Sequence, residues 1–278
     1  MEYQGKTIVI TGATSGLGQA AAIDLGKRGA RILCLGRDAA RGAAVVSEIK
    51  RAGGQAEFLS VDLLSIADLS RVAAELLSRV GSIDVLINNA GGNFKALGKT
   101  GDGFEKTFAL NVVAPFVLSH RLRPALRAAG GRIINVATGV PGGASLELAD
   151  LREPRSYSAL GTYTKAKLAV IMMTLEQAER WKADSISAVV IHPGIIPGTR
   201  FGSEMPAAML AIGSFIAKLF GMASTPAQAQ ERYRQAAFGA VPTGTFLAQG
   251  KPAQPPKAAQ DPAQRRALWD SLESTVKA

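Results

Sequence analysis

The stretch TYTKAKLAV, residues 162–170, sets one tyrosine beside two lysines. A phenol hydroxyl next to a carbonyl oxygen can hand it a proton. Free tyrosine titrates near ~10, and an adjacent ammonium favours the phenolate, so a lysine partner brings that proton closer to exchange at neutral pH. The apolar residues Ile171, Met172, Leu175 and Ala178 continue the stretch at helical spacing. Each helical residue turns by about 100°, so a residue four on returns to the same face and a residue two on points away. Lys167 can therefore share a site with Tyr163, whereas Lys165 points away and is expected to be solvated. Tyr157 has Gly161 at the corresponding place and lacks a partner. An ordinary helix with a buried tyrosine and a solvated lysine has the same spacing, so the rest of the chain has to decide.

A second stretch, TGATSGLG at residues 11–18, follows an apolar run and opens a helical pattern. Such a turn suits a pyrophosphate. Gly12 permits the tight bend, Gly16 lets backbone N–H groups approach the phosphates, and Gly18 lets the helix pack close to the strand. Thr14 and Ser15 add hydroxyl donors, and Leu17 belongs to the same cradle. The second apolar run ends LCLGRD. An acidic tip there would bind an adenosine ribose 2′-hydroxyl, but the tip is Gly36 followed by Arg37. Glycine makes room, and arginine offers a forked cation to a 2′-phosphate. Asp38 competes for the ribose, yet its place at the head of a helical run reads as an N-cap. Arg41, one turn on, adds charge. NADPH/NADP+ is therefore expected as cofactor ahead of NADH. Asp62, with Leu63 beside it, follows the third run and is placed to meet the adenine.

The elements that must hold these residues alternate strictly. Apolar runs at 7–10, 31–35, 56–61, 85–88, 132–137, 185–191 and 245–247 read as strands. Amphipathic runs at 16–28, 38–52, 66–79, 102–129, 157–181, 203–220 and 225–238 read as helices. This order implies an α/β fold, a doubly wound parallel sheet of about seven strands with helices on both faces. The 278 residues are 47% hydrophobic, enough for one such domain spanning the chain. The Pro- and Ala-rich tail from about residue 250 is expected to run irregularly before a short helix, QRRALWDSLESTV. Ligands of such sheets bind at the carboxyl ends of the strands, and the unusual residues fall there.

The bulk numbers remove other classes. One cysteine, Cys34, excludes a disulfide framework and a zinc cluster, and no metal is expected. The 32 Lys plus Arg outnumber the 22 Asp plus Glu by ten, but they are scattered and carry no nucleic-acid motif. No run is long and apolar enough for a membrane span, and no leader-like pattern stands before Thr7. A cytoplasmic protein is expected.

Taken in order, TGATSGLG, Asp62 in VDL, NNAG at residues 88–91, Asn111 in ALNVVAPF, Tyr163 with Lys167, and HPG at residues 192–194 resemble the short-chain dehydrogenase/reductase family. The run DGFEKTFALNVVAPFVLSHRL and the ending RRALWDSLES are most similar to its retinol-dehydrogenase-like branch, which shares features with protochlorophyllide reductases. The resemblance implies a Rossmann-type fold and an oxidoreductase in which Tyr163 is the general acid/base. It gives Tyr163 and Lys167 a second task at the cofactor, with Lys167 holding the nicotinamide ribose. It implies that Asn111 anchors a proton-relaying water. It places Asn89, Ala90, Gly91, Pro193, Gly194 and the backbone of Ile196 along the cofactor. The hydroxyl that holds the substrate oxygen falls to Thr138 where the family usually has serine; Ser145 or an unassisted tyrosine are the alternatives. Gly198 stands where the family often places a threonine, with Thr199 one further. His192 reads as structural. Family members commonly form homodimers or homotetramers.

Four readings remain at this point: an NADPH-dependent reductase of a carbonyl, or the reverse alcohol dehydrogenase; a reductase of an activated C=C bond; a non-catalytic dinucleotide sensor; and a protein with weak peripheral membrane association. The sensor is disfavoured because both Tyr163 and Lys167 are present. In the segment 203–223, Met205, Met209, Ile212, Ile216, Leu219 and Phe220 mark one apolar helical face. That face either packs on the core or acts as a lid over a hydrophobic small-molecule substrate.

Overall fold

A computed structural model describes residues 1–194 and 224–277. Its elements run β1 (Thr7–Thr11), α1 (Gly16–Lys27), β2 (Arg31–Gly36), α2 (Ala39–Arg51), β3 (Gln55–Ser60), α3 (Ile66–Arg79) and β4 (Val85–Asn88). Then follow α4 (Lys106–Phe108), a π-turn (Ala109–Val113), α5 (Ala114–Arg121), α6 (Arg123–Ala129), β5 (Arg132–Val136) and α7 (Ala159–Arg180). The chain closes with β6 (Ser187–His192), α8 (Pro226–Phe238), β7 (Phe246–Ala248), β8 (Lys251–Ala253), α9 (Lys257–Gln260) and α10 (Pro262–Lys277). The expected helix 203–220 lies outside the described residues.

One sheet of order β3-β2-β1-β4-β5-β6-β7-β8 carries the fold. All neighbours are parallel except β7 and β8. Successive side chains of a strand point to opposite faces. Ile8, Ile10, Ile32 and Cys34 accordingly enter one core, while Val9, Leu33 and Leu35 enter the other. Helices cover both faces, so the strands are apolar throughout rather than alternating. Cys34 is buried, which pushes its thiol up to about 12. The strand order reverses between β1 and β4, and a crevice opens at their carboxyl ends, beside Thr11 and Asn88.

Two sequence expectations change. The helix expected at 102–129 is broken. Glu105 caps α4 through the N–H of Phe108 at 2.9 Å, and a π-turn then carries Asn111. Pro115 lacks the N–H that would close an α-turn onto the Asn111 carbonyl, which disrupts the ladder there. Pro124, at the start of α6, separates α5 from α6.

The tail is also more ordered than expected. Lys251–Ala253 adds an eighth, antiparallel strand at the sheet edge, where Pro252 is tolerated. Helix α10 then packs on α7 and α5. Its Leu268, Trp269 and Leu272 are fully buried. Trp269 meets Phe116 edge-on at 4.9 Å and Trp181 at 6.0 Å, and its indole N–H donates to Glu273 Oε1 at 2.9 Å. His120 lies in the same cluster, and burial pushes its imidazole below the usual range. No described helix is long and apolar enough to cross a membrane. Trp269→Ala should cost about 3–5 kcal/mol by the usual cost of emptying a core aromatic site, which urea denaturation would measure; a loss below 1 kcal/mol would show α10 to be a loosely held appendage.

Candidate active site

The crevice widens into a cleft of about 720 Å³, in the range of small-molecule sites at about 300–1,000 Å³. One end is the turn between β1 and α1. Gly12 has φ +65° and Gly16 φ +57°, the left-handed region that glycine enters freely. Gly18 lies behind the turn rather than on the cleft wall. A side chain there would bring Cβ to 2.3 Å from Asn89 Nδ2 and 2.4 Å from the Gly12 carbonyl. Ser15 is the N-cap of α1, but its side chain makes no capping bond. The first-turn N–H groups are thus not claimed by their own cap, as an anion site requires.

Asn89 ties this turn to β4. Its Nδ2 donates to the carbonyls of Thr11 at 2.9 Å and Gly12 at 3.4 Å. The Ala90 N–H donates to Thr11 Oγ1 at 3.0 Å. Leu17, Asn89, Ala90, Gly91 and Leu63 all line the cleft with Thr14 and Ser15.

At the tip of β2, Gly36 would bring a Cβ within 2.9 Å of Thr14 Cγ2. Arg37 is exposed and lines the cleft, as does Asp62. Asp38 also lines it, and it caps α2 by accepting from the Arg41 N–H at 3.0 Å. Its other oxygen lies 3.1 Å from Arg41 Nε, so the carboxylate already has two partners.

At the opposite end stand Tyr163, Lys167, Thr138, His192, Pro193 and Gly194. Tyr163 and Lys167 are both buried on α7, and the ammonium lies 5.5 Å from the phenol ring centre. Lys167 Nζ donates to the Val136 carbonyl at 2.8 Å. Burial pulls Lys167 down to about 7 and pushes the Tyr163 phenol up. The expected lowering of Tyr163 by its lysine is therefore outweighed by desolvation in the protein alone. Lys165 does point away from Tyr163, but it is not simply solvated. Its ammonium grips the buried Asp150 at 2.9 and 3.0 Å. Tyr157 donates to the Phe94 carbonyl.

Asn111 is not on the cleft wall. It sits behind Gly91, with Nδ2 donating to the carbonyls of Gly92 and Thr107 at 2.7 Å each. A Cβ on Gly91 would lie 2.7 Å from Asn111 Oδ1 and 2.9 Å from Lys167 Nζ, so both side chains crowd the same space beside Gly91. Thr138 is half-buried and faces the cleft. Ile196, Gly198 and Thr199 lie outside the described residues, as does the segment 203–223.

Apart from His192, which the sequence marks in HPG and reads as structural, several residues on or behind the cleft have no signal in the sequence. Phe94 and Leu110 add apolar wall. His192, buried and on the wall, is held down to about 4 by burial and by the nearby charge of Arg232. Arg232 Nη1 donates to both the Pro193 carbonyl and Ser224 Oγ at 2.6 Å. Tyr233 donates to Asn89 Oδ1 at 2.7 Å. A polar helical run such as AQAQERYRQAA gives no reason to place either on a site.

A family model described as short chain dehydrogenase matches residues 6–209. The chain belongs to the short-chain dehydrogenase family. Retinol dehydrogenase 14 of Mus musculus is 33% identical over 288 residues, covering 98% of this chain and 86% of its own. A Streptomyces sp. (strain C5) protein named for daunorubicin C-13 ketoreductase activity is 38% identical over 200 residues, covering 71% of this chain and 68% of its own. Among solved structures, the Pseudomonas aeruginosa RhlG/NADP active-site complex matches with a TM-score of 0.71 at 26% identity, covering 89% of this chain and 97% of that one. The relatives put this short-chain dehydrogenase in the retinol-dehydrogenase-like branch of an oxidoreductase family.

Lys167 gives the site a pH signature. An unfolded lysine titrates at 10.5, and the folded one at about 7. Below about pH 7 both states carry the proton, and the whole cost of burying the charge falls on the folded protein. Between pH 7 and 10.5 the unfolded state holds more protons, so this cost fades as pH rises. Lys167→Met should therefore raise the melting temperature most at pH 6, with a gain that shrinks at pH 9. Melting curves at the two pH values check this; a gain that grows with pH would mean that the ammonium is not desolvated.

Proposed function

We propose that this short-chain dehydrogenase reduces a carbonyl group of a bulky, hydrophobic small molecule with NADPH, or oxidises the corresponding alcohol. The observation that carries this reading is that one cleft holds the glycine turn at one end and the buried Tyr163–Lys167 pair at the other. The residues present fit a dinucleotide. The first turn of α1 is open to an anion, and a side chain at Gly12 would press on Ala90, with its Cβ 3.0 Å from Ala90 Cα. Gly12, Thr14, Ser15, Gly16 and Leu17 would hold the pyrophosphate, Asp62 and Leu63 the adenine, and Asn89, Ala90, Gly91, Pro193 and Gly194 the path to the nicotinamide. When bound, the nicotinamide supplies the hydride or accepts it.

The chain's own residues handle the proton. Tyr163, kept protonated by burial, offers its hydroxyl hydrogen to the substrate oxygen. Thr138 donates a second hydrogen bond to the same oxygen. Lys167 stands behind Tyr163 with a titration point near neutrality, suited to returning the proton. Asn111, braced on Gly92 and Thr107, marks the inner end of that route next to Lys167. Phe94, Leu110 and Ala137 make the wall apolar near Tyr163, and the names of the relatives, a retinol dehydrogenase and a ketoreductase, support lipophilic substrates.

The preference for NADPH rests on Arg37. Arg37 and Arg41 are both exposed on the adenosine side of the cleft, but Arg41 pairs with Asp38, which is also engaged as a cap. A panel of ketones, aldehydes and enones with NADPH and NADH, followed by loss of reduced-cofactor absorbance, tests the whole reading. Turnover of enones alone would replace carbonyl by C=C reduction.

Two variant sets sharpen it. Tyr163→Phe should abolish turnover and leave cofactor affinity nearly intact. Lys165→Ala should keep the chemistry but lower the melting temperature, because the buried Asp150 loses its counter-ion. If Lys165→Ala were the inactive variant and Lys167→Ala silent, the helical-face argument would fail. Arg37→Ala removes a charge-assisted contact of about 1.5–3 kcal/mol, which corresponds to a rise of roughly one to two orders of magnitude in KM for NADPH. KM for NADH should barely change; equal effects on both would place Arg37 away from the 2′-phosphate.

A further inference from the structure

Helix α8 lies outside every motif that the cleft reading uses, yet it is bonded to α1 and to two residues of the cleft, Pro193 and Asn89. Gln230 Nε2 donates to the Ala20 carbonyl of α1 at 3.4 Å, and Arg234 pairs with Asp24 of the same helix at 2.6 Å. Arg232 holds the Pro193 carbonyl at the nicotinamide end. Between them Tyr233 is fully buried, and its hydroxyl donates to Asn89 Oδ1 at 2.7 Å.

That last bond completes the partners of the Asn89 amide, whose other end is set by two carbonyls. An amide has one acceptor end and one donor end. With Oδ1 occupied by the tyrosine hydroxyl, Nδ2 must face the carbonyls of Thr11 and Gly12, where it donates to both. Turned over, Oδ1 would confront those two carbonyl oxygens, and the Tyr233 hydroxyl would have to give up its donor bond and accept from Nδ2 instead. Gly18 tightens the constraint, since the amide already occupies the space a Cβ would need there.

We infer that Tyr233 is a positioning residue for the cofactor: through Asn89 it fixes the Gly12 turn in the shape that receives the pyrophosphate. The inference rests on the dinucleotide reading of the cleft. It makes α8 part of the binding apparatus, although α8 contributes no side chain to the cleft wall among the described residues.

The test is calorimetric titration of the full chain with NADPH, for wild type, Tyr233→Phe, Asn89→Ala and the double variant. Tyr233→Phe keeps the ring and removes only the hydroxyl. Losing one buried hydrogen bond corresponds to about a three- to tenfold rise in the dissociation constant. In turnover assays the rise should appear in KM for NADPH and much less in kcat. The double variant should bind no more weakly than Asn89→Ala alone, because the two residues act through one contact. A wild-type dissociation constant for Tyr233→Phe, or additive losses in the double variant, would overturn the inference and leave the cleft reading standing. So would a fall in melting temperature of Tyr233→Phe with no change in cofactor affinity, which would make the hydroxyl a packing group only. A wild-type protein that binds neither NADPH nor NADH would overturn the cleft reading itself, and the inference with it.

Discussion

The close approach at Gly18 governs the architecture of the site. The backbone of α1, the Gly12 carbonyl and the Asn89 amide meet within a space too small for one methyl group. That contact sets how far the first helix stands from the sheet and where its N-terminus points. It also links β1 to β4, the two strands between which the order of the sheet reverses. A crevice exists at this point because the connections leave in opposite directions. At the Gly12 turn the glycines let the backbone, rather than side chains, form its wall, which is what an anion site requires.

The opposite end is held by polar groups buried between sheet and helices. Asn88 on β4 donates to Asn135 on β5 at 2.8 Å and to Ser119 on α5 at 3.2 Å. Asn135 in turn donates to Thr174 and Gln177 on α7 at 3.0 and 3.2 Å. An apolar interface would allow α7 to slide, whereas a shift here would break the bonds from Asn135 to Thr174 and Gln177, although Asn88 Oδ1 and Gln177 Nε2 themselves have no partner within the protein. The register matters for chemistry. It sets Tyr163 and Lys167, further along α7, at the mouth of β5, where the Val136 carbonyl receives the ammonium. The cost of burying that ammonium is offset in part by a single hydrogen bond, which leaves the lysine poised to exchange its proton.

Most of this was legible in the sequence because it depends on local rules. Strand and helix periodicity located the main sheet, and α3 and β4 fall on the expected residues without shift. The Tyr163–Lys167 face followed from helical rotation, and the cap role of Asp38 from its place before a helical run. What stayed hidden depends on contacts distant in sequence. Lys165 looks like a surface lysine until Asp150 folds back beneath it. The π-turn at Asn111 does not appear in a hydrophobic pattern, because its signal is one proline four residues downstream. The tail reads as irregular from its prolines, yet an edge strand tolerates Pro252, and Trp269 finds an aromatic pocket built by α5 and the end of α7. Desolvation of Tyr163 and Lys167 could not be read from residue types, since it depends on how much protein surrounds them.

Arg232 has a consequence for how such a protein can diverge. One guanidinium nitrogen reaches the Pro193 carbonyl and Ser224 Oγ together, and a Cβ on Gly194 would fall 2.0 Å from that same hydroxyl. Gly194 and Ser224 are therefore held side by side, at the Pro193 end of the cleft. A stretch whose two ends are stapled together can gain, lose or exchange residues without straining the strands on either side, since the closure is made by the staple and not by the stretch.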